Sequence, residues 1–235
     1  MKTTHTPNTM AAALLCALAV TSAQAQTPSV EERVVALKAS LAASQIILKQ
    51  YEWIETTVVS LKGEEKSRKQ ERCYHGADGS VQKIPLTAPD PGKKKRGLRG
   101  RIVEKKKEEL SDYMKQAIGL VKSYVPPNPA LIQAAKDAGK VSLSLVEPGK
   151  CARLDFRDYH KPGDTLSVEV DLTSNRLLAL KVKTYLDDTK DAVTLDARTG
   201  RLNDGTTYLD AITLDAPAKK IKVNVDNSGY RKTGN

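Results

Sequence analysis

The chain has 235 residues, 40% of them hydrophobic and 28% charged, with 38 Lys and Arg against 28 Asp and Glu. That balance is the composition of folded globular material of one or at most two domains, and it excludes wholesale disorder. Ten aromatic side chains, namely Trp53, Phe156 and eight Tyr, leave any core or cavity to Leu, Ile, Val and Ala and argue against a large aromatic-lined cofactor site.

Residues 1–25 read as a secretory signal peptide: Lys2 gives a positive start, Met10 to Val20 an apolar stretch, and Ala23-Gln24-Ala25 a small-x-small cleavage pattern that leaves Gln26 first. An apolar run of about ten residues is too short for a bilayer, which takes about twenty. Cys16 follows Ala13-Leu14-Leu15, which departs from a lipobox. The expected product is an exported, periplasmic chain soluble after cleavage, with 37 basic and 28 acidic side chains and a net charge of +9.

Ser29 and Glu32 form a capping box after Pro28, and Val34, Leu37, Leu41 and Leu48 follow at helical spacing, predicting a helix over 29–49. From Trp53 to Leu61 the period changes to two with β-branched enrichment, predicting a strand that Gly63 ends. Strands over 68–74 and 81–86 flank the turn Gly76-Ala77-Asp78-Gly79. Residues 87–100 read as an exposed loop around Lys93-Lys94-Lys95-Arg96. A helix is predicted over 101–124, stopped by Pro126-Pro127, and a shorter one over 129–138 with Asn128 as its N-cap and Pro129 first.

The remainder reads as a meander of strands. Val141, Leu143 and Leu145 alternate with serines, Cys151 to Phe156 returns, Leu166, Val168, Val170 and Leu172 oppose Ser167, Glu169 and Asp171, and Leu178, Leu180 and Val182 oppose Ala179, Lys181 and Lys183. Further strands are expected at about 191–198, 206–214 and 219–226. The predicted fold is α+β: a curved antiparallel sheet of about nine strands, a half-barrel, packed over an N-terminal helix and two central helices.

Cys73 and Cys151 are an even pair in an oxidising compartment, so a structural disulfide is expected. The alternative, a metal site of Cys73, His75, Cys151 and His160, has C-x-H and C-x8-H spacings unlike structural zinc motifs. No phosphate-binding glycine loop, nucleophile elbow or HExxH helix is present. Acidic pairs such as Asp155 with Asp158, or Asp187 with Asp188, sit at loop edges where carboxylates are solvated. The expectation is a non-enzyme without a cofactor or metal.

Lys93, Lys94, Lys95, Arg96, Arg99, Arg101, Lys105, Lys106 and Lys107 oppose only Glu104. Such a patch suits an anionic membrane surface or envelope partner, and its lack of interleaved aromatics speaks against nucleic acid. The plainer reading is a solvated loop and helix face on which Lys105 to Lys107 pair with Glu108 and Glu109.

The order signal peptide, long helix, antiparallel strands, central helices and closing meander, with the hairpins of Leu166 to Leu195, resembles the lipoprotein-carrier fold, the LolA-like superfamily that includes RseB-type stress regulators. The resemblance covers nearly all of residues 26–235 as one domain. It implies an open half-barrel whose cavity, lidded by helices, accepts an acyl chain of a lipid or lipoprotein, lined here by Trp53, Val59, Ile118, Val121, Phe156 and Leu180. It also leaves open an envelope protein-interaction or stress-sensing module of the same fold without lipid transfer. Trp53 fits a cavity wall, although a lone Trp is more commonly a ring buried in a core or at a sheet end.

Overall fold

In the computed structural model, which describes residues 30–86 and 98–234, the chain runs α1 (Val30–Leu48), β1 (Tyr51–Leu61), β2 (Glu64–His75), β3 (Val81–Pro85), α2 (Leu98–Lys122) and α3 (Pro129–Asp137). It continues through β4 (Val141–Glu147), β5 (Cys151–Arg157), β6 (Thr165–Asp171), β7 (Arg176–Tyr185), β8 (Ala192–Arg201), β9 (Thr207–Ala216), a 3-10 turn (Pro217–Lys219) and β10 (Ile221–Lys232). The strands form one open antiparallel sheet of ten, in the order β3-β2-β1-β10-β9-β8-β7-β6-β5-β4. The meander β4 to β10 thus ends beside β1, and α2 and α3 carry the chain from one edge of the sheet to the other.

The sheet has ten strands rather than about nine, and β10 runs to Lys232 instead of stopping near 226. Its second half is held by β1, from Ile54↔Ser228 out to Tyr51↔Lys232, so pairing overrides a polar sequence with no apolar alternation. Pairing likewise extends β2 back to Glu64. The β1–β2 link is the two-residue turn Lys62-Gly63, with φ of 56° and 83°, the left-handed pair that matches the twist of a tight hairpin. Helix α2 begins at Leu98, so the last three residues assigned to the loop belong to the helix.

Register makes the two faces of the sheet chemically distinct. One row runs Val141↔Phe156↔Leu166↔Val182↔Leu195↔Leu214↔Val223↔Val59 across eight strands. A parallel row runs Leu143↔Leu154↔Val168↔Leu180↔Ala197↔Ile212↔Val225↔Thr57. The opposite face carries Asp155↔Ser167↔Lys181↔Asp196↔Thr213↔Asn224. Apolar area of this extent has to be covered, and α2 and α3 cover much of it.

Three packed clusters result. Tyr124, Ala135, Phe156, Tyr159, Leu166, Leu180 and Val182 form the first, beneath the end of α2 and α3. Ala117 and Val121 of α2 meet Val193 and Leu214 in the second, and Tyr113 meets Ala216 and Ile221 in the third, where Val59 and Leu61 join. Helix α3 is capped as expected, Asn128 accepting from Ala130 N at 2.9 Å. Helix α1 docks through buried Ser44, whose hydroxyl accepts from Thr207 N at 3.1 Å.

The expected disulfide is not formed. Cys73 on β2 and Cys151 on β5 are both free thiols, with six strands between theirs in the sheet order. Two cysteines bond only when their Cα atoms approach within about 7 Å. Cys73 is fully buried and its burial pushes the thiol pKa up, whereas Cys151 is partly exposed. In protein beginning at Gln26, iodoacetamide is expected to add one group, at Cys151, to the native state and two after unfolding. Intact-mass measurement reads the difference, and no addition in either state contradicts it.

Candidate functional site

The helices leave a stretch of the apolar face open over β8 to β10. Ile118, Val121, Lys122 and Val125, spaced as one helical face, hang over Leu195 and Ala197 of β8, Leu209, Ile212 and Leu214 of β9, and Val223 and Val225 of β10. They enclose a cleft of about 370 Å³. Ten of its eleven lining residues are apolar, and the remaining one is Lys122.

The opening follows from where α2 stops. Ala117 and Val121 seal the first apolar row at Leu214, but the helix ends at Lys122 and the chain turns through Val125-Pro126-Pro127. Ala197, Ile212 and Val225 of the second row line the gap that this leaves. Ala197, the smallest side chain on the floor, deepens the gap. The mouth keeps large apolar groups in water: Ile118 and Leu209 are each 39% exposed and Val125 is 43% exposed.

The six cavity residues named from the sequence separate in the structure. Ile118 and Val121 line the cleft. Phe156 and Leu180 lie in the packed cluster with Tyr124, and Val59 packs against the cluster of Tyr113, Ala216 and Ile221. Trp53 stands apart, its ring stacked on Tyr230 at 5.6 Å and tilted against His75 at 5.5 Å. Among the described residues Trp53 Nε1 and His75 Nδ1 are buried without a hydrogen-bond partner. Gly229, at φ 63°, makes the bulge opposite Trp53 that brings Tyr230 onto the indole. Ala197, Leu209, Ile212 and Val225 were not singled out from the sequence. Alternation puts Leu209 and Ile212, three apart on β9, on opposite faces, and the irregularity between Leu209 and Ala211 that brings them to one face leaves no sign in the sequence.

Of the basic run, Lys93, Lys94, Lys95 and Arg96 lie outside the described residues, and Arg99 and Arg101 are placed in α2 by backbone alone. Lys105, Lys106 and Lys107 are exposed on that helix. Among the described residues, the ion pairs drawn from the sequence between these lysines and Glu108 or Glu109 are not formed.

Cys73 and His75 lie on β2, while Cys151 opens β5 and His160 follows it, so the four potential metal ligands do not converge. No group of three or more His, Cys, Asp or Glu suited to a metal ion occurs among the described residues. The carboxylates have structural work: Asp155 accepts from Ser167 at 2.6 Å, and Asp158, held below the usual carboxylate range first by Gly163 N–H and then by Lys140, closes its own turn.

A second, polar cleft of about 370 Å³ lies between Tyr51, Arg201, Asp204 and Lys232. Tyr51 donates to Asp204 at 2.6 Å, and this bond, followed by donation from Thr206, lowers the Asp204 carboxyl to about 2. A carboxyl depressed by folding contributes stability that is fully present above its unfolded value of about 4 and is lost as pH falls through about 2. The Tm gap between the native protein and Asp204→Asn, which accepts less strongly, should therefore be widest near neutrality and close between pH 4 and 2. A gap that widens on acidification contradicts the assignment.

No protein-family model matches the sequence. No curated protein matches it either. Among the described residues no helix is long and apolar enough to cross a membrane. Among solved structures the chain is similar to a DUF1329 family protein from Desulfovibrio piger, at 11% identity and a TM-score of 0.33, over 83% of this chain and 92% of that one. It is also similar, at 9% identity and a TM-score of 0.36, over 84% of this chain and 93% of that one, to a LolA superfamily protein from Nitrosomonas europaea.

Proposed function

We propose that this protein is an exported, non-enzymatic carrier that holds the acyl chain of a lipid or acylated protein in the cleft under α2. The observation that carries the reading is an open cleft with ten apolar lining residues and a mouth of half-exposed Ile118, Val125 and Leu209. A concave, mostly apolar cleft with a single charged group in its lining has the make-up of a small-ligand site. Ten methylenes sheltered there contribute about 8 kcal/mol gross, at about 0.8 kcal/mol each, and association costs of at least about 4 kcal/mol leave the longer chains as the tighter ligands. On this reading the segment Met1 to Ala25 directs export to the periplasm, residues from Gln26 onward form one domain, and the basic run of 93–107 serves an anionic membrane surface or envelope partner.

The test is titration with the neutral hydrophobe N-phenyl-1-naphthylamine. One saturable site per chain, emptied by long-chain lipids, is the expected result; fluorescence that rises without saturation overturns the reading.

A second reading, an envelope protein-interaction module, is favoured by edge strand β4. Its sequence VSLSLVE has no Lys or Pro to guard the edge, and Leu143, Leu145 and Val146 are exposed along it. The other edge, β3, is guarded by Lys83 and Pro85.

A further inference from the structure

The cleft has a polarity that its apolar lining hides. Lys122 is the charged member of its eleven lining residues, lies in the last turn of α2 and is exposed at the rim. Among the described residues no carboxylate pairs with it, although many other lysines of this chain are paired, as Lys83 is with Glu55 and Lys181 with Glu169. An ammonium with a long flexible stem beside a hydrocarbon-lined space is suited to hold an anionic head while its stem extends the apolar wall.

The size of the cleft sets the other half of the ligand. At about 370 Å³ it is near the lower end of small-ligand pockets, which run from about 300 to 1,000 Å³. That is room for one chain rather than two or three side by side. The end of α2 does not supply the recognition, because the negative end of the helix dipole lies there; the Lys122 ammonium has to overcome it.

We infer that the ligand is a single-chain amphiphile ending in an anion, its head paired with Lys122 and its tail laid under Ile118 and Val121 across Ala197, Ile212 and Val225. The inference rests on the carrier reading above and sharpens it from apolar ligand to long-chain carboxylate or phosphate monoester.

The experiment displaces N-phenyl-1-naphthylamine from protein starting at Gln26, using palmitate, hexadecyl phosphate and hexadecanol below their aggregation limits. Palmitate and hexadecyl phosphate should each bind at least tenfold more tightly than hexadecanol at low salt. Lys122→Gln should abolish that preference while hexadecanol binding stays within about twofold, and Lys122→Arg should restore it. The ratio of palmitate to hexadecyl phosphate then tells a carboxylate site from a phosphate site. Equal affinity for palmitate and hexadecanol, or a preference that survives in Lys122→Gln, overturns this inference and leaves the carrier reading standing. If no chain displaces the probe, the carrier reading falls and this inference with it.

Discussion

Replacing Ala197 with Trp is expected to abolish the cleft, lowering affinity for N-phenyl-1-naphthylamine at least about tenfold, or about 1.4 kcal/mol, without lowering Tm. Ala197 lies in the second apolar row between Leu180 and Ile212, on the floor of a space of about 370 Å³. An indole there grows into open volume rather than into a neighbour, so it escapes the usual penalty for overpacking a filled core. It also covers Ile118 and Leu209, which the native protein leaves in water. A control at Leu180, which belongs to the packed cluster with Tyr124 and Leu166, should behave oppositely: Leu180→Ala is expected to cost about 3 kcal/mol of stability and to leave probe affinity nearly unchanged. Unaltered binding in Ala197→Trp would place the ligand elsewhere.

The second large effect is at Asp164. This carboxylate is almost wholly buried, and its Oδ2 accepts from the Tyr124 hydroxyl at 2.5 Å and from His160 N and Lys161 N at 3.0 Å each, while Oδ1 accepts from Tyr159 N at 2.5 Å. Tyr124 is in turn hydrogen-bonded to Thr184 at 2.8 Å, and burial raises its hydroxyl pKa well above the usual tyrosine value. One side chain therefore ties the segment after α2, the turn before β6 and strand β7 together. Asp164→Ala leaves four donors in a space with little water, at about 1 to 3 kcal/mol for a buried donor without a partner. We expect a loss of about 4 kcal/mol and a fall in Tm of about 12 °C. Asp164→Asn, which keeps an acceptor, should lose about half as much. Chemical denaturation of the two variants measures both; equal and small losses would show that the carboxylate is dispensable.

The Asp164 network also explains why the cleft is open at one end and closed at the other. Tyr124 is pulled down onto β7, so the chain beyond α2 is pinned toward β5 to β7, where Phe156 and Leu166 are packed solid. Val125, next in sequence, lies over β8 to β10 and is 43% exposed.

Much of this architecture was legible because strands facing one core must alternate. Leu166, Val168, Leu180 and Val182 were placed on a single face by period alone, and register bears that out strand by strand. The ends of elements were harder. The far halves of β2 and β10 are polar and become strands because β1 offers them partners, which is a property of neighbours and not of the segments. The disulfide expectation rested on compartment and an even count, neither of which knows that β2 and β5 are separated by six strands.

The cleft is legible in the sequence only on its helical side. Ile118 and Val121 followed from the face of α2, whereas Ala197, Ile212 and Val225 depend on where a helix end falls over a sheet. Phe156 and Trp53 were candidates for being large, but large rings are what pack most readily: Phe156 went into the core beside Tyr159 at 6.5 Å, and Trp53 into a stack with Tyr230.

The most direct test of the carrier reading is native mass spectrometry of the protein exported into a bacterial periplasm, weighed before and after organic extraction, with Ala197→Trp prepared in parallel. The account predicts an extractable mass of one ligand per chain in the native protein and a bare chain in Ala197→Trp. A bare native protein in both samples, or the same adduct in both proteins, would contradict it.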